Sequence, residues 1–173
     1  MNELIKKAKK GDKSAFSEVI LYYQNDLYKI ARTRLSENAD IEDAVQETII
    51  SAYESIHKLK NISKFKTWLV TILINQCNRI YNEQSKLKNA YCKYGLNENC
   101  DATTQDRINL QFDNLMSLLN SDERTILVLY YSEGYKTKEI ARILDMNEST
   151  VRNKMSKARQ KIENNLKEDY INE

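Results

Sequence analysis

Proline is absent from this chain, and glycine occurs only at positions 11, 95 and 134. These two residues are the usual punctuation of a polypeptide. Proline removes a backbone donor, and glycine weakens a helix by entropy. A chain of 173 residues with so few breakers contains long uninterrupted stretches, which favour helix. The expected fold class is all-α.

The apolar residues agree with that expectation. Leu4, Ile5 and Ala8 share one side of a short helix over 2–10. Gly11 suits the left-handed position after its end, and Asp12 suits the cap of the next helix. There Phe16, Val19, Ile20, Tyr23, Leu27, Ile30, Ala31 and Leu35 recur every three or four residues, a strong amphipathic period. After a turn at 36–39, Asp40 is expected to cap a third helix. Its apolar face is Ile41, Ala44, Val45, Ile49, Ala52, Tyr53 and Ile56. Its other face carries Glu42, Asp43, Gln46 and Glu47. Acids in the first turn suit the helix dipole, but that does not explain Gln46 and Glu47 one turn further along.

Residues 57–66 read as a loop containing Lys58, Lys60, Asn61, Lys64 and Lys66. A fourth helix over 65–83 turns Phe65, Trp68, Leu69, Ile72, Leu73, Cys77 and Ile80 inward. It leaves Lys66, Thr67, Thr71, Asn75, Asn78, Arg79 and Asn82 outward, with no acid until Glu83. Aromatics, amides and cations together suit single-stranded nucleic acid, which needs stacking faces, edge partners and phosphate partners. Residues 84–104 lose the helical period and read as a flexible linker that reaches at most ~70 Å. A helix over 105–119 is built on Ile108, Phe112, Leu115 and Leu119. Asn120 and Glu123 then have the form of a capping box, Ile126, Leu127, Leu129, Tyr130 and Tyr131 pack, and Gly134 ends that helix. Two small helical domains result, 1–83 and 105–173. With 41% hydrophobic and 30% charged residues, their cores must be thin.

Residues 137–166 form a short helix, a tight turn at Asp145-Met146-Asn147 and a longer helix. This is the pattern of a helix-turn-helix. Val151, Met155, Ala158 and Ile162 face the core and Asn147 caps the second helix, leaving Ser149, Thr150, Arg152, Asn153, Ser156, Lys157 and Arg159 available. The net charge is only +2, but residues 149–161 hold five bases and no acid. Such a face is either solvated surface or an electrostatic footprint for phosphate. In the second case Arg152 can read guanine and Asn153 adenine, while Lys157, Arg159 and Lys161 hold phosphates.

Catalytic chemistry finds no foothold. There is no phosphate-cradling glycine loop, nucleophile elbow or metal-ligand spacing. Glu42 and Asp43 are adjacent, so they diverge on a helix rather than share a proton. The lone histidine, His57, reads as a helix-end residue. Cys77, Cys92 and Cys100 fit no zinc template. No cofactor, metal or enzymatic activity is expected. The lysine-rich start is not followed by an apolar run, and no run is long enough to cross a bilayer. The expected protein is cytoplasmic and not itself a membrane protein.

Three stretches together resemble a known family. Asp40-Ile41-Glu42-Asp43-Ala44-Val45-Gln46-Glu47-Thr48 resembles the core-polymerase-binding helix of bacterial sigma factors. Phe65-Lys66-Thr67-Trp68-Leu69 through Asn75 and Arg79 resembles their promoter-melting helix. Residues 119–166, with Glu139-Ile140-Ala141, Thr150-Val151 and Lys157-Ala158-Arg159, resemble their upstream-element reader. The order and spacing are similar to extracytoplasmic-function (ECF) sigma factors. The resemblance implies that Asp40, Asp43, Gln46 and Glu47 contact the clamp helices of the largest subunit of core RNA polymerase. It implies that Lys58, Lys60, Asn61, Lys64, Lys66, Thr67, Trp68, Asn75, Asn78 and Arg79 capture the single strand of the minus-ten element. Ser149, Thr150, Arg152, Asn153, Ser156, Lys157 and Arg159 would read the duplex minus-thirty-five element. It also implies control by an anti-sigma factor, often membrane-anchored. The chain departs from the family pattern at Asn120-Ser121, where proline is common, and at Asp145, where the turn usually has glycine. At Lys136 a serine cap is common, so Thr137 is expected to cap instead. The rival reading is a stand-alone helix-turn-helix regulator with residues 1–83 as a dimerisation or sensing module.

Overall fold

The computed structural model describes the backbone of residues 1–93 and 115–171, and the side chains of 1–86 and 115–167. Among these residues there is no strand. The chain divides into two compact units, 1–88 and 89–173.

The first unit is four helices: α1 (Asn2–Lys9), α2 (Lys13–Ala31), α3 (Asn38–Ser55) and α4 (Phe65–Lys93). Gly11 has φ +96° after α1, the left-handed conformation that glycine adopts without strain. The Asp12 carboxylate accepts from the Ala15 N–H at 3.0 Å and starts α2. The core gathers Val19, Leu27 and Ile30 from α2, Ala44 and Val45 from α3, and Leu69, Leu73 and Cys77 from α4. Val70 and Ile74 are also buried, so α4 is gripped on two adjacent stripes rather than the one expected. Burial pushes the Cys77 thiol up to about 11, which leaves it protonated and inert at neutral pH.

Three expectations for this unit need correction. α3 begins at Asn38, with Glu37 in the capping position, so Asp40 lies in the first turn and does not cap. The segment expected to be loop contains two turns of 3₁₀ helix, Ile56–Lys58 and Ile62–Lys64. Buried Leu59 plugs the gap between them, and the Lys9 ammonium donates to its carbonyl at 2.7 Å. Finally, α4 runs on to Lys93, ten residues into the expected linker. The inward apolar period stops at Ile80, but Glu83, Gln84, Lys86, Leu87, Lys88 and Ala90 are good helix formers, and no breaker occurs before Gly95. Residues 94–104 and most of the helix expected over 105–119 lie outside the described residues, as do the side chains of Cys92 and Cys100.

The second unit contains α5 (Ser121–Leu127), α6 (Thr137–Ile143) and α7 (Glu148–Ile171). The capping box forms as expected: the Asn120 carboxamide accepts from the Glu123 N–H at 2.9 Å, and the Glu123 carboxylate accepts from the Asn120 N–H at 3.0 Å. α5 continues into a π turn, Val128–Ser132, closed by Gly134 at φ +71°. At the start of α6 only half a capping box is possible, because a lysine side chain has no acceptor. The Lys136 N–H donates to Glu139 at 3.3 Å. Thr137 is the first residue of the helix and does not cap. The turn after α6 places Asp145 at φ +51°, and the Met146 N–H reaches back to the Ala141 carbonyl at 2.8 Å. That six-to-one bond around a left-handed residue is the Schellman stop. Val151, Met155 and Ala158 of α7 are buried, as are Ile126, Leu129, Ile140 and Ile143.

Candidate nucleic-acid and protein interfaces

In the first unit α3 presents Asp43, Gln46 and Glu47 to solvent at spacings of three and one. They line a groove of about 360 Å³ together with Asp40 and with Arg79, Ile80, Glu83 and Gln84 of α4. Its far wall reuses α4, and no periodicity in α3 alone could reveal it. Asp40 is only partly exposed, and its carboxylate accepts from Gln84 Nε2 at 2.5 Å. It ties α3 to α4 at the mouth of the groove.

The lysine turns and α4 supply the second surface. Lys58, Lys60, Asn61 and Lys64 are exposed. Asn61 shapes the second turn, its Oδ1 accepting from the Ser63 N–H at 3.0 Å and the Ser63 hydroxyl at 2.8 Å. Lys66 is half-buried: its ammonium lies 2.9 Å from the Asp26 carboxylate and 5.9 Å from the Tyr23 ring centroid. Trp68 packs 5.6 Å from Phe65, which lies 5.8 Å from Tyr23. Burial raises the Tyr23 phenol above its ordinary pKa, with the Lys66 charge opposing. Thr67 is half-buried, whereas Asn75 and Asn78 are exposed, the latter accepting from Arg34 at 2.8 Å. Arg79 donates to Gln76 at 3.1 Å and Glu83 at 3.3 Å. It sits on the groove shared with α3.

The third surface is the outer face of α7. Ser149, Arg152, Asn153, Ser156 and Lys157 are exposed, and Thr150 is half-exposed. Arg152, with 69% of its side chain accessible, pairs with Glu148 at 2.7 Å. Glu148 also accepts from the Thr137 hydroxyl at 2.8 Å. These two bonds hold its carboxyl below the usual range. Two other cations of α7 reach across to α5. Lys154 pairs with Asp122 at 3.0 Å and Lys161 with Glu123 at 2.7 Å. Glu123 is almost wholly buried; burial pushes its pKa up, but the Lys161 bond, the Asn120 N–H and nearby lysine charges outweigh this and leave it lowered. Lys161, expected on phosphate, is thus engaged with α5. Arg159 lies 5.5 Å from the Tyr131 ring centroid and 5.9 Å from that of Tyr130. It donates to Met155 Sδ at 3.2 Å.

Sequence reasoning missed Asp26 and Asp122, because their partners are far along the chain, and it gave Thr137 a capping role in place of its bond to Glu148. The Glu148–Arg152 pair was visible in principle, since the two are four residues apart on a helix.

A tight-turned pair of helices with an exposed Arg-Asn face defines the helix-turn-helix class of DNA-binding proteins. Comparison with known proteins narrows that class. Residues 19–86 match the family Sigma-70 region 2, and residues 109–162 match Sigma-70, region 4. The ECF RNA polymerase sigma-E factor of Haemophilus influenzae is 32% identical, covering 94% of this chain and 93% of its own length. That of Escherichia coli K12 is 27% identical over 94% of this chain and 92% of its own. The fold is also that of CnrH, solved with the cytosolic domain of CnrY, at a TM-score of 0.69, 21% identity and 97% coverage of both chains. RpoE of Bartonella quintana, solved with the anti-sigma factor NepR, has a TM-score of 0.69 at 24% identity, covering 88% of this chain and 96% of its own. The chain belongs to the ECF RNA polymerase sigma factors.

Proposed function

We propose that the chain guides core RNA polymerase to promoters by three surfaces with separate tasks. Asp43, Gln46 and Glu47 dock on the clamp helices of the largest polymerase subunit, with Asp40 holding the edge of that site. Lys58, Lys60, Asn61 and Lys64 hold phosphates of the opened minus-ten strand, while Thr67, Trp68, Asn75 and Asn78 meet its bases. Ser149, Thr150, Arg152, Asn153, Ser156 and Lys157 engage the duplex minus-thirty-five element. Lys66, Arg79 and Arg159 are each engaged by neighbouring side chains and brace these surfaces. Residues 1–83 carry the first two tasks and 105–173 the third. The chain is a specificity subunit, not a catalyst, and it acts in the cytoplasm. No helix among the described residues is long and apolar enough to cross a membrane.

The observation that carries this reading is the exposed acid-amide ridge on α3. A stand-alone DNA-binding regulator has no use for an anionic face in the unit that does not hold the helix-turn-helix. The test is run-off transcription with purified chain and core polymerase on promoters from its own genome. A promoter-dependent transcript that requires the chain supports the reading; DNA binding with no polymerase association favours the stand-alone regulator.

Control by an anti-sigma factor belongs to the same proposal. Two proteins of the same fold were solved with such partners or with a cytosolic domain of another protein. A membrane-anchored inhibitor that covers the DNA-facing surfaces fits this chain equally. Affinity capture of the native complex under non-inducing conditions checks it, and recovery of the chain alone counts against it.

A further inference from the structure

Glu148 is an acid in the wrong place for a phosphate-binding helix. It is the first residue of α7, the end that meets base edges in helix-turn-helix proteins. The N-terminal dipole suits an acid there in the free protein. Close to DNA the same charge opposes the phosphates. Its geometry shows what it does instead. One oxygen, Oε1, accepts both from Thr137, which opens α6, and from Arg152, one turn along α7. A single carboxylate therefore ties together the two helices of the motif and the guanidinium best placed to read a base.

Two physical consequences follow. The pair cancels charge at the front of the reading helix, which lowers sequence-independent attraction to phosphate. It also restricts Arg152, an otherwise mobile side chain whose accessible part is 69%. Arginine loses much rotamer freedom when it is fixed, and a bidentate contact with guanine needs one orientation of its fork. A splint that spends one donor on Glu148 leaves the others aimed outward.

We propose that Glu148 is a positioning residue that sets specificity: it exchanges general phosphate attraction for discrimination at the base pair met by Arg152. This rests on α7 being the upstream-element reader. The competing role is direct reading, with the Glu148 carboxylate accepting from a cytosine amino group.

The experiment assembles full-length chain with core polymerase and measures binding to a duplex library randomised across the upstream element. Random-sequence duplex serves as the reference for non-specific affinity. Glu148→Ala is expected to weaken preference at one base pair about three- to tenfold, part of the roughly 5- to 150-fold a full base contact supplies. The same variant should bind random duplex more tightly, a gain that mere structural damage would not produce. Glu148→Gln keeps an acceptor for Thr137 but not the charge, so it should show the same directions while lowering the melting temperature less than Glu148→Ala does. In an Arg152→Ala background, Glu148→Ala should change no preference further. If Arg152→Ala relaxes one pair while both Glu148 variants leave that pair untouched, the proposal fails and the reader role of α7 stands. A Glu148 effect that persists at its own base pair without Arg152 also overturns it, in favour of direct reading. If Arg152→Ala alters no upstream pair, the parent reading falls and the proposal with it.

Discussion

The two candidate DNA-facing helices, α4 and α7, are held in place by different means. α4 is gripped by packing: Leu69, Val70, Leu73, Ile74 and Cys77 are all buried on adjacent stripes. α7 buries one narrow stripe, Val151, Met155 and Ala158, and is braced by charge. Lys154 and Lys161 reach Asp122 and Glu123 at the start of α5. A helix gripped on a broad arc has little freedom left, so its outward strip is narrow. A helix gripped on one stripe can roll about it, and the two ion pairs on its flank oppose that roll. The difference shows which cations are available to a ligand. On α7 they lie in the first turns, not along the whole basic run.

Substitutions can break this contrast, and the largest effect belongs to packing. Leu73→Ala removes a fully buried side chain from α4 and should cost ~2–5 kcal/mol. Calorimetry should show the transition of the first unit falling while that of the second stays in place.

Next comes the charged brace. Glu123→Gln should cost ~1–3 kcal/mol near neutral pH, the range for a buried bond to a charged group. The Glu123 carboxyl is lowered in the folded state relative to its ordinary 4.5, so the unfolded chain binds the proton more readily. Its stabilisation is therefore present above about pH 4.5 and is lost as pH falls through the folded value. Denaturant melts of wild type and variant should converge in acid. A cost that is constant with pH would mean that the pair is not what braces α7.

The smallest effect is a gain. Asp145 sits at φ +51°, where an L side chain costs ~1–2 kcal/mol and glycine costs unfolded-state entropy instead. Asp145→Gly should stabilise the second unit by about 0.5–1 kcal/mol, read as a small upward shift in its melting temperature. The packing of α4 should not respond.

Periodicity and capping chemistry carry most of the fold. The stripe Val19, Leu27, Ile30 was legible because each residue answers to its own helix, and so were Asp12, the Asn120–Glu123 box and the stop at Gly134. The extent of α4 was not, since the inward period ends at Ile80 while backbone propensity carries the helix on to Lys93. Asp40 misled for a related reason: an acid near a helix start suits both the cap and the first turn, and only Gln84, 44 residues away, distinguishes them. The candidate surfaces were legible as faces but not as states of charge. Lys66 and Lys161 look identical to Lys58 and Lys157 in sequence. Only the fold brings Asp26 to one and Glu123 to another. The groove beside Asp43 and Glu47 was hidden for the same reason, being built from two helices.

The central claim is that polymerase docking and upstream-element reading are separate tasks on separate units. Equilibrium binding to core RNA polymerase tests it most directly, using wild type, the double variant Gln46→Ala/Glu47→Ala, and Arg152→Ala, all without DNA. The account predicts that the double variant binds at least about tenfold more weakly, a loss of ~1.4 kcal/mol or more, while Arg152→Ala keeps the wild-type Kd. Equal affinity for all three proteins would contradict it.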